Sequence, residues 1–174
     1  MAGKPDPKLP TIERLTRSAV HYLERYSSSE SNLRKVLERR VLKACHHHGR
    51  DPADFTEMIE TVVGKCTGSG LVNDRTYAET KTASLRRRGG SRRKIEAQLA
   101  HRGVDRETIQ SVLDMGSVPE EEAAAVYARR RRLGPYRNVA DRQARREKDL
   151  AAMCRAGFSF DIAARVIDGA NEDE

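Results

Sequence analysis

Three groups of residues in this chain carry side chains that could do chemistry. Val63-Gly64-Lys65-Cys66 looks like the end of a phosphate-binding loop. Such a loop needs a first glycine where Ile59 stands, a hydroxyl where Cys66 stands, and a strand before it. None of the three is present, so these residues are expected to be the end of a helix. Cys45 and His48 fall on one helix face and could begin a metal site, with His46 and His47 between them. A second ligand cluster is missing from the sequence, and cations at a helix C-terminus are favoured by the dipole alone. No metal and no cofactor is expected. No Ser/His/Asp or Cys/His set and no carboxylate pair stands out, so no catalytic residue and no enzyme is expected.

The third group is basic. Lys81 to Arg102 holds eight Lys or Arg and a single acid, Glu96, an excess equal to the net charge of +7 of the whole chain. Arg86, Arg87 and Arg88 close one helix, Gly89-Gly90 turns the backbone, and Arg92, Arg93 and Lys94 open the next behind Ser91. Cations in a first helical turn oppose the helix dipole. An anion held at that N-terminus would resolve the conflict through the free N–H groups. A second run, Arg129 to Arg132, is followed by Arg145 and Arg146. Four consecutive helical positions point all round, and Arg130 shares the stripe of Val126, Tyr127 and Leu133, where it can snorkel. The expected contact residues are therefore Arg86, Arg87, Arg88, Arg92, Arg93, Lys94, Arg129, Arg131, Arg132, Arg145 and Arg146. A solvated helix face is the plainer reading of both runs.

The elements that must position these charges are helices. The chain is 34% charged and 37% hydrophobic, with no Trp, against about 25% charged for an average chain. That gives a thin core and much surface. Gly49, Gly103 and Gly157 recur every 54 residues. Six positions beyond them stand Phe55, Ile109 and Ala163; nine beyond, Met58, Val112 and Val166; ten beyond, Ile59, Leu113 and Ile167. Each repeat thus shares a helix end, a turn and the apolar register of the next helix, the sign of a helical repeat array. Helices are expected at 11–26, 29–48 and 52–67; at 74–88, 92–102 and 106–115; and at 118–133, about 139–156 and 160–168. Asp51, Asn73, Ser91, Asp105, Ser117 and Ser159 read as caps. No period-two run predicts a strand. The expected organisation is a disordered lead at 1–10, three-helix repeats at 11–70, 71–116 and 117–169, and an acidic tail at 170–174. Helix 74–88 has a weak apolar face. Cys45, Cys66 and Cys154 lack paired spacing and suit a reducing compartment. With no apolar leader in residues 1–10 and no apolar run of membrane length, the chain is expected to be cytoplasmic.

Several of these stretches, taken in order, resemble the RecX family, bacterial regulators of the RecA recombinase. Leu23, Arg25, Ser28 and Leu33 are similar to the family's opening region. Gly70-Leu71-Val72-Asn73-Asp74-Arg75-Thr76-Tyr77-Ala78 resembles its G-L-[LI]-[DN]-D-x-x-[YF]-A signature. Arg87-Arg88-Gly89, Ile95, Leu99, Gly103, Val104 and Gly157-Phe158-Ser159 follow. The likeness covers roughly residues 12–168. The middle helix of the first repeat is longer than in many members. The resemblance implies an all-α fold, an elongated, curved array of three tandem three-helix repeats with nine helices. It implies a regulator that binds RecA–DNA filaments, inhibits RecA ATPase, strand exchange and coprotease activities, and so restrains recombination and the SOS response; a monomer is expected. DNA contact would be weaker and salt-dependent, with no membrane partner. The alternative is a helical-repeat DNA-binding protein acting without RecA.

Overall fold

The computed structural model describes residues 7–116 and 118–169. Among them the chain forms nine α-helices and no strand: α1 Ile12–Leu23, α2 Glu30–His48, α3 Thr56–Gly68, α4 Asp74–Arg86, α5 Arg92–His101, α6 Arg106–Asp114, α7 Glu120–Arg131, α8 Val139–Arg155 and α9 Phe160–Asp168. Short 3₁₀ turns at Pro52–Phe55 and Gly134–Tyr136 precede α3 and α8. Four of the caps read from the sequence close α4, α5, α6 and α9. Asn73 Oδ1 accepts from Thr76 N, and Asp105 Oδ1 from Thr108 N. Ser91 and Ser159 Oγ accept from Lys94 N and Ile162 N. Asp51 caps the 3₁₀ turn rather than α3 itself. Ser117 and the acidic tail lie outside the described residues. Residues 7–10, expected within a structureless lead, are placed: Pro10 is buried, and Leu9 O accepts from the Arg14 guanidinium at 2.8 Å.

The chain divides into two compact units. Among the described residues, the first holds 7–77 and 102–104, the second 78–101, 105–116 and 118–169. In the first, Leu15, Leu33, Leu37, Val41, Ile59, Val62 and Val63 fill a core closed by Val72. In the second, Ala123, Ala124, Ala128, Leu150, Met153, Phe158, Ala163 and Ile167 form one cluster, while Ile95, Leu99, Ile109, Val112 and Leu113 are buried along α5 and α6. Small Ala side chains let α7 sit close to its neighbours, which keeps dispersion contacts dense without large residues.

The 54-residue period has a structural cause beyond helix termination. Gly49, Gly103 and Gly157 all have left-handed backbone, with φ of 63°, 75° and 97°. Around Gly49 an added Cβ would meet nothing, whereas at Gly103 it would collide with Ser31 Oγ and at Gly157 it would lie 2.5 Å from Ser91 Oγ. The two later glycines are where the end of one repeat's middle helix meets the start of the previous repeat's middle helix. There the cap serine of the earlier helix donates to the carbonyl just before the glycine: Ser29 Oγ to Arg102 O, and Ser91 Oγ to Ala156 O at 2.7 Å. A carboxylate completes each seam. Asp74, first residue of α4, accepts from Glu30 N at 2.7 Å. Glu120, first residue of α7, accepts from Arg92 N at 2.9 Å. The Asp of the Gly70–Ala78 motif is thus the N-terminal cap of a helix 44 residues earlier.

Candidate functional site

Helix α4 delivers the first Arg run to the second unit. Its buried positions are Tyr77, Ala78, Thr82 and Arg86; beyond Tyr77 the inward stripe holds only Ala, Thr and Arg at four-residue steps, which reads as a weak apolar face in the sequence. Arg86 is only 8% exposed. Its guanidinium pairs with Glu120 and donates to Gly90 O. It is therefore a structural cation and does not present itself to a partner. The same Glu120 carboxylate accepts from Arg92 N through both oxygens. The anion that the first turn of α5 calls for is thus supplied from within the chain, and the dipole conflict at Arg92, Arg93 and Lys94 requires no external ligand. Arg92 itself forks onto Gln110 and Asp114, at 2.8 and 2.7 Å.

The remaining candidates separate by what they touch. Arg146 forms a two-bond fork on Asp168, which holds that carboxyl below its usual range. Arg129 lies over the Tyr136 ring at 5.3 Å. Arg132 takes the left-handed conformation that ends α7, with φ 54°. Arg93, Arg132 and Arg145 are exposed, and Arg87 borders a separate groove beside Thr82 and Met115. Arg88, Lys94 and Arg131 do converge. With Arg130 they surround a cleft of about 370 Å³ between the α4–α5 turn and α7. Leu85, Ile95, Gln98 and Tyr127 also line it. A second cavity of about 460 Å³ shares Lys94, Tyr127, Arg131 and Ala156 with it and adds Arg155. No carboxylate lines either one.

Two features build this cleft. Gly89, with φ 77°, brings the turn so close to α7 that a Cβ there would lie 2.6 Å from Tyr127 N. Arg130 then donates to Arg88 O at 2.6 Å, tying the turn to the helix. Arg131 lies over the Tyr127 ring at 5.9 Å, and that ring meets Phe158 at 5.7 Å. The snorkelling expected of Arg130 is not what happens: the side chain is exposed and reaches across to the turn. Sequence reasoning missed Arg130, Arg155, Gln98 and Tyr127. Only a pairing between two Arg runs some forty residues apart could have found them, and no local pattern encodes that.

The other chemistry-bearing residues stay apart from this cleft. Val63 to Cys66 lies inside α3, where backbone N–H groups are tied up in the helix. His46, His47 and His48 are exposed, and His48 Nε2 sits 2.7 Å from Pro7 O. Among the described residues no three His, Cys, Asp or Glu side chains gather as a metal site. The three cysteines are free, and burial pushes the Cys45 and Cys66 thiols up. No helix among the described residues is long and apolar enough to cross a membrane.

Residues 73–113 match the family model for RecX, second three-helix domain. A regulatory protein RecX from Myxococcus xanthus is 41% identical over 169 residues, covering 95% of this chain and 90% of its own length. One from Agrobacterium fabrum is 33% identical over 156 residues, covering 90% and 83%. A crystal structure of a regulatory protein RecX shares the fold with a TM-score of 0.65 at 21% identity, covering 91% of this chain and 72% of that one.

Proposed function

Since the chain belongs to the RecX family of regulatory proteins, we propose that it restrains RecA by binding the RecA–DNA filament. Inhibition is steric. Repeats engage neighbouring subunits and the bound DNA, and so hinder ATP turnover, strand exchange and coprotease access without any chemistry of their own. Recombination and the SOS response are held down in consequence. The protein works in the cytoplasm, where the filament forms, and needs no cofactor. The observation that carries this reading is the convergence of Arg88, Lys94, Arg130, Arg131 and Arg155 on concave surface free of carboxylates. Such a surface attracts a polyanion and speeds encounter with it. Arg87, Arg93, Arg132 and Arg145 extend the basic surface, while Arg86, Arg92 and Arg146 hold the fold through Glu120, Asp114 and Asp168.

The test measures the DNA-dependent ATPase of RecA as the protein is added, together with its affinity for bare DNA and for the RecA–DNA filament at physiological salt. The expected result is inhibition and tighter binding to the filament. Equal affinity for bare DNA and no change in ATPase would instead favour a DNA-binding protein that acts without RecA.

A further inference from the structure

The cleft between the α4–α5 turn and α7 is more than a charged patch. Its volume of about 370 Å³ lies within the range of small-ligand sites, roughly 300–1,000 Å³. It combines cations, an aromatic ring, a side-chain amide and apolar side chains. We infer that this cleft takes one nucleotide of a single-stranded nucleic acid, with the strand continuing through the adjoining cavity toward Arg155.

Three observations carry the assignment. Arg88, Lys94 and Arg131 have no carboxylate partner among the described residues, and Arg130 commits one N–H, to Arg88 O. A guanidinium has five donors in a planar fork, which suits phosphate oxygens. Next, the half-buried Leu85 and Tyr127 give an apolar wall beside these cations, and Gln98 offers both a donor and an acceptor. A phosphate alone has no use for that wall, and neither does the smooth backbone of a duplex. A base splayed from a single strand does, since its faces are apolar and its edge bonds to amides. Finally, the two cavities share Lys94, Tyr127, Arg131 and Ala156. Successive sites with common walls suit a chain of nucleotides rather than one free nucleotide. The proposal rests on the regulator reading only for the source of the strand, the DNA within a RecA filament.

The experiment uses the full chain without RecA. A fluorescein-labelled oligothymidylate of about 16 nucleotides is titrated by anisotropy, with a duplex of equal length and thymidine monophosphate as competitors. We expect the single strand to bind tighter than the duplex and the monophosphate to compete poorly. The variant Arg88→Gln/Arg131→Gln should weaken binding by roughly tenfold or more. It should also reduce the log–log salt slope by about 1.4, since each phosphate left without its cation accounts for about 0.7. Arg17→Gln/Arg39→Gln removes the same charge at two exposed positions of the first unit, outside the basic surface, and should cost less than about twofold. Circular dichroism checks that both variants stay helical. A photo-crosslink from 5-iodouracil in the strand should land on Tyr127. Equal losses in the two variants, duplex binding as tight as single-strand binding, displacement by thymidine monophosphate at strand-like concentration, or crosslinks that avoid the cleft would each overturn the proposal. With RecA absent, such a failure rejects the strand site and leaves the regulator reading to its own ATPase test.

Discussion

Glu120 does two structural jobs with one carboxylate: it neutralises Arg86 and caps α5 at Arg92 N. Removing one partner of a buried pair costs more than the pair contributes, because the other charge stays desolvated. Glu120→Ala should therefore destabilise by about 3 kcal/mol in urea unfolding. Glu121→Ala, which breaks the exposed pair with Arg165, should cost about 0.5 kcal/mol or less. A similar loss in both would show that Glu120 is an ordinary surface acid. Asp149 provides a pH readout. Burial pushes its carboxyl up, but hydrogen bonds from Arg137 and Gly134 N and the charges of Arg137 and Arg145 outweigh that, so it titrates below the usual carboxylate range. Its folded pKa is thus below the unfolded value of about 3.9. The stabilisation is present above that pH and is lost as pH falls through the folded value. Asp149→Asn should lower stability at neutral pH and flatten the acid limb of the stability curve below about pH 4. An acid limb unchanged by the substitution would remove Asp149 from the account. None of this was legible in the sequence, where Glu120 and Asp149 are two acids among 26.

At the scale of helices, much was legible. The nine helices, their caps and the three period glycines follow from apolar spacing and from residues whose side chains close a first turn. Boundaries moved where the backbone had a local reason. The first helix stops at Leu23, residues 52–55 wind as a 3₁₀ turn, and α7 begins after Pro119. What the sequence hides is the second use of each cap. Ser91 is visible as the N-cap of α5 but not as the donor to Ala156 O, which lies 65 residues away. The glycines test this. Ala at a left-handed position costs about 1–2 kcal/mol from backbone strain alone. Gly49→Ala, with open space around it, should lose only that amount. Gly103→Ala and Gly157→Ala should lose clearly more, since each also drives a Cβ into a serine at the start of the facing helix, Ser31 and Ser91 respectively. Thermal melts of the three variants give the ranking. Equal losses would mean that the seam yields and that the period records only helix ends.

At the scale of the molecule, three repeats are gathered into two compact units: the chain leaves the first within α4, between Tyr77 and Ala78, and residues 102–104 return to it. A cut after Met115, between the second and third repeats, removes Glu120, Tyr127 and Ala156, on which the end of α4 and the start of α5 rest. Residues 1–115 should therefore keep slow hydrogen exchange in α1 to α3 while α5 and α6 exchange fast. Protection of α5 and α6 as in the full chain would show that the second repeat folds without the third. The seams also give the repeats a direction. The second repeat offers a glycine-ended helix to the repeat before it and a serine-capped helix to the one after. The first repeat lacks the former use, as the open space at Gly49 shows, and α8 opens on Asn138 instead of serine. Among the described residues, the middle unit is thus the only one of the three with a matched plug and socket. If this lineage ever lengthened by duplication, the second repeat is the one that could be copied in tandem without inventing a new joint, whereas a copy of either end would arrive with one coupling missing.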